Sequence, residues 1–406
     1  MRTFPLLALL GALLLAAGCG GGSSSPSSIA AGSTQNSTLN NVAPIVVNGG
    51  LAGLPNTASV TVTICVPGAS ICQSIDNVQL DTGTSGLRIM SQELSVLLPA
   101  VTAGSGNSLF ECFPLEDGNV LWGSVRLADV QIAGETASKI PVQVIGGGNL
   151  PGRCAPVFGG QVQDDVFLFG ANGLLGVGVA VQDCGALCTS NATNPGLYYV
   201  CDSTAGCSSN TPPATLANDT PQVSNPVASF STDNNGVIIE LPALSPRWAS
   251  SVSGSLLFGI GTQPNNSLGS AQFASVDSIG NVNTVIDGVQ KKGLVRSAAR
   301  ANVFQDSALA GVPETDGFYC PAASQLFLAE IQGKNGVPLT ISFNVDNDCA
   351  LLPSSGNFAF SGLAGPPPQP DPTWFTWGLP FFFGRDVYVA IDGQPTPAGQ
   401  GPYIAF

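Results

Sequence analysis

The sequence predicts an all-β protein built as two lobes. Three observations carry this. Fifty glycines and 31 prolines divide 406 residues into many short segments. Only 9% of the residues are charged while 44% are hydrophobic, and the apolar positions recur with period 2 rather than 3.6, as half-buried strands require. A chain of this length also exceeds what one ordinary core encloses.

Taken in chain order, SVTVTICV at 59–66 alternates apolar and polar residues, and VRLADVQIAG at 125–134 and IPVQVIGGG at 140–148 do the same, each ending in glycine. GVIIELP at 236–242 and GSLLFGIGT at 254–262 are short apolar runs suited to a sheet interior, and PLTISFNV at 338–345 and FFFGRDVYVAIDG at 381–393 close the series. Only SQELSVLL at 91–98 and TPQVSNPVASFS at 220–231 read as brief helices. LPALSPRWASSV at 241–252 places two prolines before a fresh strand, so the lobes are expected at 43–245 and 246–406. No repeat of 20 to 50 residues is present.

The formal net charge of -14, with no basic run, argues against nucleic acid or an anionic membrane surface as partner. The chain contains no histidine. A Ser-His-Asp triad, a Cys-His pair and histidine-bearing zinc sites are therefore excluded, which leaves carboxylates as the main acid-base groups. No cofactor and no metal are expected.

The N-terminal stretch MRTFPLLALLGALLLAAGCGGGSSS has the architecture of a secretory signal. Ala17, Gly18 and Cys19 resemble the cleavage box of bacterial lipoproteins, although Ala16 stands where that box usually has a larger aliphatic residue. The resemblance implies a signal at 1–18, a lipid on Cys19 and, with Gly20 following, delivery to the outer membrane. Residues 19–42 then form a Gly/Ser/Asn-rich tether. Setting Cys19 aside leaves ten of the eleven cysteines, an even number suited to an oxidising compartment. Nearest-neighbour pairing gives Cys65 with Cys72, Cys112 with Cys154, Cys184 with Cys188, Cys201 with Cys207, and Cys320 with Cys349, though sequence alone does not fix connectivity.

VQLDTGTSGLRI at 78–89 places an acid after a strand signal and before a Gly/Thr/Ser turn. With the order of strands around it, it resembles the first active-site turn of the pepsin-like aspartic peptidases, with Asp81, Thr82, Gly83 and Thr84 in the family's positions. DGNVLWGSVRLADVQIAG at 117–134 stands where that family has its flap hairpin, GANGLLGVGVA resembles its apolar-apolar-Gly run, and 253–261 and 378–392 resemble strands that open and close the second lobe. The resemblance spans 43–393 and implies a two-lobed β-barrel architecture with a cleft between the lobes. NNGVIIELP, GFYCP and WGLPFFFGR resemble more closely a family of uncharacterised bacterial lipoproteins, whose second turn reads Asp-Ser-Gly-Ser-Asn-Gly followed by apolar residues and Pro-Asp-Ser.

The second turn is degenerate. In one register LVRSAARANVFQDS at 294–307 aligns with the first turn, so Arg296 stands opposite Asp81, Ser297 opposite Thr82 and Ala298 opposite Gly83. In the other, DSALAG supplies Asp306 as second acid. The first register is preferred, because it continues into Asn302, Val303 and Phe304 as a strand, whereas the second continues into Pro313 and Glu314. Asp306 then becomes a helix cap. An arginine beside Asp81 would hold it ionised and leave no second acid to share a proton, and Ala298 would crowd a turn that favours glycine.

Trp122, the only aromatic near the hairpin tip, is weighed as a flap or cleft contact against a packing role. Lys291 and Lys292 read as a solvated pair, Asn344, Asp346, Asn347 and Asp348 as a polar turn, and Trp374, Phe375, Trp377 and Phe381 to Phe383 as lobe core. The preferred reading is a membrane-anchored, catalytically impaired lipoprotein that binds a polypeptide or other ligand in its cleft. The alternatives are an active endopeptidase, using Asp81 with Asp306 or with a second Asp81 across a homodimer, and a structural envelope protein.

Overall fold

In the computed structural model, residues 40–103, 106–202, 205–333, 336–352 and 355–406 are described. The signal and Cys19 lie outside them. Residues 39–406 make one compact unit.

A 14-stranded sheet organises the chain. Val42–Asn48 pairs on one edge with Thr57–Cys65 and on the other with Val252–Phe258, so the first strand of the unit lies beside a strand from its second half. Gly236–Leu241 also pairs with Val252–Phe258. The expected division at 245/246 thus falls in a connection between two strands of one sheet. A four-stranded sheet formed by 282–286, 289–293, 325–332 and 338–345 completes the second half, with a short three-stranded one around Asn302–Phe304. Alternating burial follows from the period-2 pattern: in Val42–Asn48, Ala43, Ile45 and Val47 are buried while Val46 is exposed. These side chains join one continuous apolar core that reaches Trp377 and Phe381 to Phe383.

Two matching loops position the site. Val78 to Asp81 run parallel to Gly173 to Gly176, and Gly173–Val177 also takes Ser85–Met90 antiparallel. The 81–85 turn therefore wraps the end of the GLLGV strand. Gly176 fits because a Cβ there would lie 2.8 Å from the backbone of Thr84 and Ser85. The second half repeats the arrangement: Val295 bridges Trp377 in parallel, Asn302–Phe304 pairs antiparallel with Phe375–Thr376, and Gly378 lies against the Ala299 and Ala301 carbonyls.

Both expected helices shrink to single 3-10 turns, Ser91–Glu93 and Val227–Ser229. Ser95 leaves the first because its N–H and its hydroxyl both bond Gln73 Oε1 at 2.7 Å. The single described α-helix, Val166–Phe169, is capped by Asp165 and closed by Gly170 at φ 86°. The last long strand begins at Arg385 rather than 381, since Leu379–Phe381 with Pro380 forms a 3-10 turn. Lys291 is a correction: it is 4% exposed, and its Nζ donates to the Gln305 and Pro372 carbonyls at 2.8 and 2.6 Å.

The disulfides are Cys65–Cys72, Cys112–Cys154, Cys184–Cys188, Cys201–Cys207 and Cys320–Cys349. Five such bonds mark a protein that matures outside the reducing cytoplasm.

Candidate functional site: a carboxylate facing an arginine

The two loops meet through reciprocal hydrogen bonds. Thr82 Oγ1 donates to the Val295 carbonyl at 2.8 Å and accepts from Ser297 N at 3.0 Å. Ser297 Oγ donates to the Leu80 carbonyl at 2.7 Å and accepts from Thr82 N at 3.1 Å. Each hydroxyl reaches across to the residue before the opposing loop's charged position. Thr82 and Ser297 are thus partners by an approximate two-fold, which makes Arg296 the counterpart of Asp81.

Asp81 is fully buried. Its Oδ1 accepts from Gly83 N at 2.8 Å and its Oδ2 from the Thr84 hydroxyl at 2.9 Å. Arg296 caps the same carboxylate: Nε lies 3.2 Å from both oxygens and Nη2 3.0 Å from Oδ2. The remaining Nη1 meets Glu116 Oε2 at 3.1 Å. Burial by itself would lower the Arg296 pKa, but the charges of Asp81 and then Glu116 outweigh it and raise the value above the ordinary arginine range. The guanidinium is therefore a permanent cation.

Gly83 makes room for it. A Cβ at 83 would sit 2.7 Å from Arg296 Cγ and 2.8 Å from Cδ, so the arginine stem lies directly on the glycine of the first turn. Ala298 does not crowd its own turn. It packs with the cluster containing Met90, Leu121 and Leu174, and its carbonyl accepts from Gln79 Nε2 at 3.4 Å.

Asp306 is not brought to Asp81. It follows Asn302–Phe304 and caps the 3-10 turn Ser307–Leu309, accepting from Ala308 N at 2.9 Å. Trp122 is likewise no cleft contact. It is 2% exposed, lies opposite Cys112 in the Ser108–Pro114/Val120–Ile132 hairpin, and stacks on Phe110 with ring centroids 5.2 Å apart. From that hairpin the group that reaches the site is Glu116, which sequence reasoning passed over. Its only signal was an acid in a turn, a position where acids are common.

A second buried charge cluster was also missed. Arg88 Nη2 bonds Glu111 Oε1 at 2.6 Å and Asp183 Oδ2 at 2.8 Å, with the guanidinium 3.6 Å from the Phe113 ring centroid. Tyr198 donates its hydroxyl to Asp183 at 2.7 Å. Burial, then the Glu111 charge, pushes the Asp183 carboxyl well above its usual range. This cluster braces the strand leaving the first turn against the segment around Cys184. Two acids and an arginine scattered over 95 residues carry no common motif.

Two lobe-linking turns, one carrying an Asp-Thr-Gly-Thr sequence, set in this topology define the pepsin-like fold. In line with this, the crystal structure of an aspartic proteinase from Irpex lacteus superposes with a TM-score of 0.52 at 14% identity, covering 90% of this chain and 96% of that one. Residues 37–406 match a family described as a protein of unknown function, DUF3443, and the chain belongs to that family. No curated protein matches the sequence.

Proposed function

We propose that this protein is a non-hydrolytic member of the pepsin-like fold that binds a polypeptide or similar ligand at the face where the two turns meet. The observation that carries the reading is the Arg296 guanidinium on both Asp81 oxygens, at 3.0–3.2 Å. An aspartic dyad works because two adjacent carboxylates share one proton and hold a water between them. Here the partner is a fixed cation that occupies the space such a water would need. Glu116 does not replace the missing acid, since the guanidinium stands between it and Asp81.

The test is incubation of the purified chain with unfolded protein from pH 3 to 7. No cleavage is expected. Cleavage that disappears in Asp81→Asn would overturn the reading. Export and attachment to the outer membrane through a lipid on Cys19 belong to the same proposal, supported by Ala17-Gly18-Cys19 and by five disulfides. Cys19→Ser should move the protein from the membrane to the soluble fraction.

A further inference from the structure

The turn at the tip of the 108–132 hairpin carries two consecutive acids, Glu116 and Asp117. The second loop opposes Glu116 with Arg296, whose Nη1 forms the ion pair.

Arg296 is fixed by groups other than Glu116. Its stem rests on Gly83, and Nε and Nη2 are both engaged by Asp81. Only Nη1 is directed to a partner that can leave. The backbone of the hairpin tip is tied down, because Val157 N donates to the Gly118 carbonyl at 3.0 Å and Val120 N to the Gln161 carbonyl at 3.0 Å. Asp117 is held within its turn by Asn119 N and Nδ2. The Glu116 side chain is 36% exposed. It can rotate away about its own bonds with no movement of the hairpin.

We infer that Arg296 Nη1 is a binding position for a polypeptide carboxylate, and that Glu116 is its built-in occupant. The inference rests on the ligand-binding reading above and names the ligand chemistry: an acidic side chain or a free C-terminus. An incoming carboxylate regains the bond that Glu116 gives up, and a guanidinium favours this anion geometrically. Glu116 therefore acts as a competitor of modest strength, since an ion pair with one exposed partner contributes little to stability.

The test is fluorescence anisotropy with two labelled hexapeptides, one of glutamates with an amidated C-terminus and one neutral with a free C-terminus. Wild type and Glu116→Gln are compared, with circular dichroism to check folding. Glu116→Gln should bind at least one probe about two- to fivefold more tightly than wild type, the factor that the loss of such an ion pair allows. Which probe responds identifies a side-chain or a terminal carboxylate, and either supports the inference. Equal or weaker binding by folded Glu116→Gln overturns it, as does absence of binding of both probes to both proteins. The readout is separate from hydrolysis, so this inference and the non-hydrolytic reading fail independently.

Discussion

Replacing Arg296 by methionine tests the most consequential contact in the protein. The substitution removes the cation from Asp81, which is fully buried, while the bonds from Gly83 N and the Thr84 hydroxyl remain. Breaking a buried ion pair on one side costs about 3–5 kcal/mol, because the other charge stays desolvated without a counter-charge. The two surviving bonds place the expectation near the lower end, at about 3 kcal/mol. For a unit spanning residues 39–406, the unfolding entropy is on the order of 0.8 kcal/mol/K, so the melting temperature should fall by about 4 °C. Differential scanning calorimetry at pH 7 with disulfides intact measures it. Asp81→Asn combined with Arg296→Met should recover much of the loss, because neither charge is then left buried alone. If the single variant melts within about 1 °C of wild type, Arg296 and Asp81 are not a buried, mutually dependent pair.

Gly83→Ala should destabilise by about 1–3 kcal/mol through the clash with the Arg296 stem, and the same change in an Arg296→Ala background should cost clearly less; equal costs in urea titrations would show that the stem does not rest on Gly83. Arg88→Met should lower stability by about 3–5 kcal/mol, since it leaves Glu111 and Asp183 buried with no cation, and chemical denaturation would read it. Asp348, pushed up to about 6 by burial and then by the Asp346 charge, favours the folded state while it is protonated. That contribution is complete below its ordinary value of 3.8 and is lost as the pH rises through about 6. Asp348→Asn should therefore gain melting temperature relative to wild type between pH 4 and 7; a difference that is constant across that range would contradict the assignment. Ser297→Ala should cost about 1–3 kcal/mol, because the Leu80 carbonyl and Thr82 N both lose a buried partner, with Ser297→Thr restoring most of it.

Much of the fold was legible because its causes are local. Alternation of apolar residues sets which strand face is buried, and glycines such as Gly176 and Gly378 mark places where one backbone crosses another. The alignment of LVRSAARANVF with the first turn could also be read from residue order, since the strand after each turn needs the same kind of residues. Helical expectation failed at 91–98 for a non-local reason: a side chain from another strand, Gln73, takes the Ser95 bonds. Lys291 failed likewise, because its carbonyl partners Gln305 and Pro372 lie 14 and 81 positions away.

By itself the sequence determined that this is a β-rich chain without histidine chemistry, with one intact Asp-Thr-Gly-Thr turn and an arginine where a second acid would stand. Those are properties of residue type and spacing. Only the tertiary structure decided that the arginine lies on the aspartate, that Gly83 leaves space for its stem, and that Glu116 closes the far side of the guanidinium. Charge pairing inside a protein depends on distances of about 3 Å between groups far apart in the chain, and residue order carries no measure of that distance until the two loops are folded together.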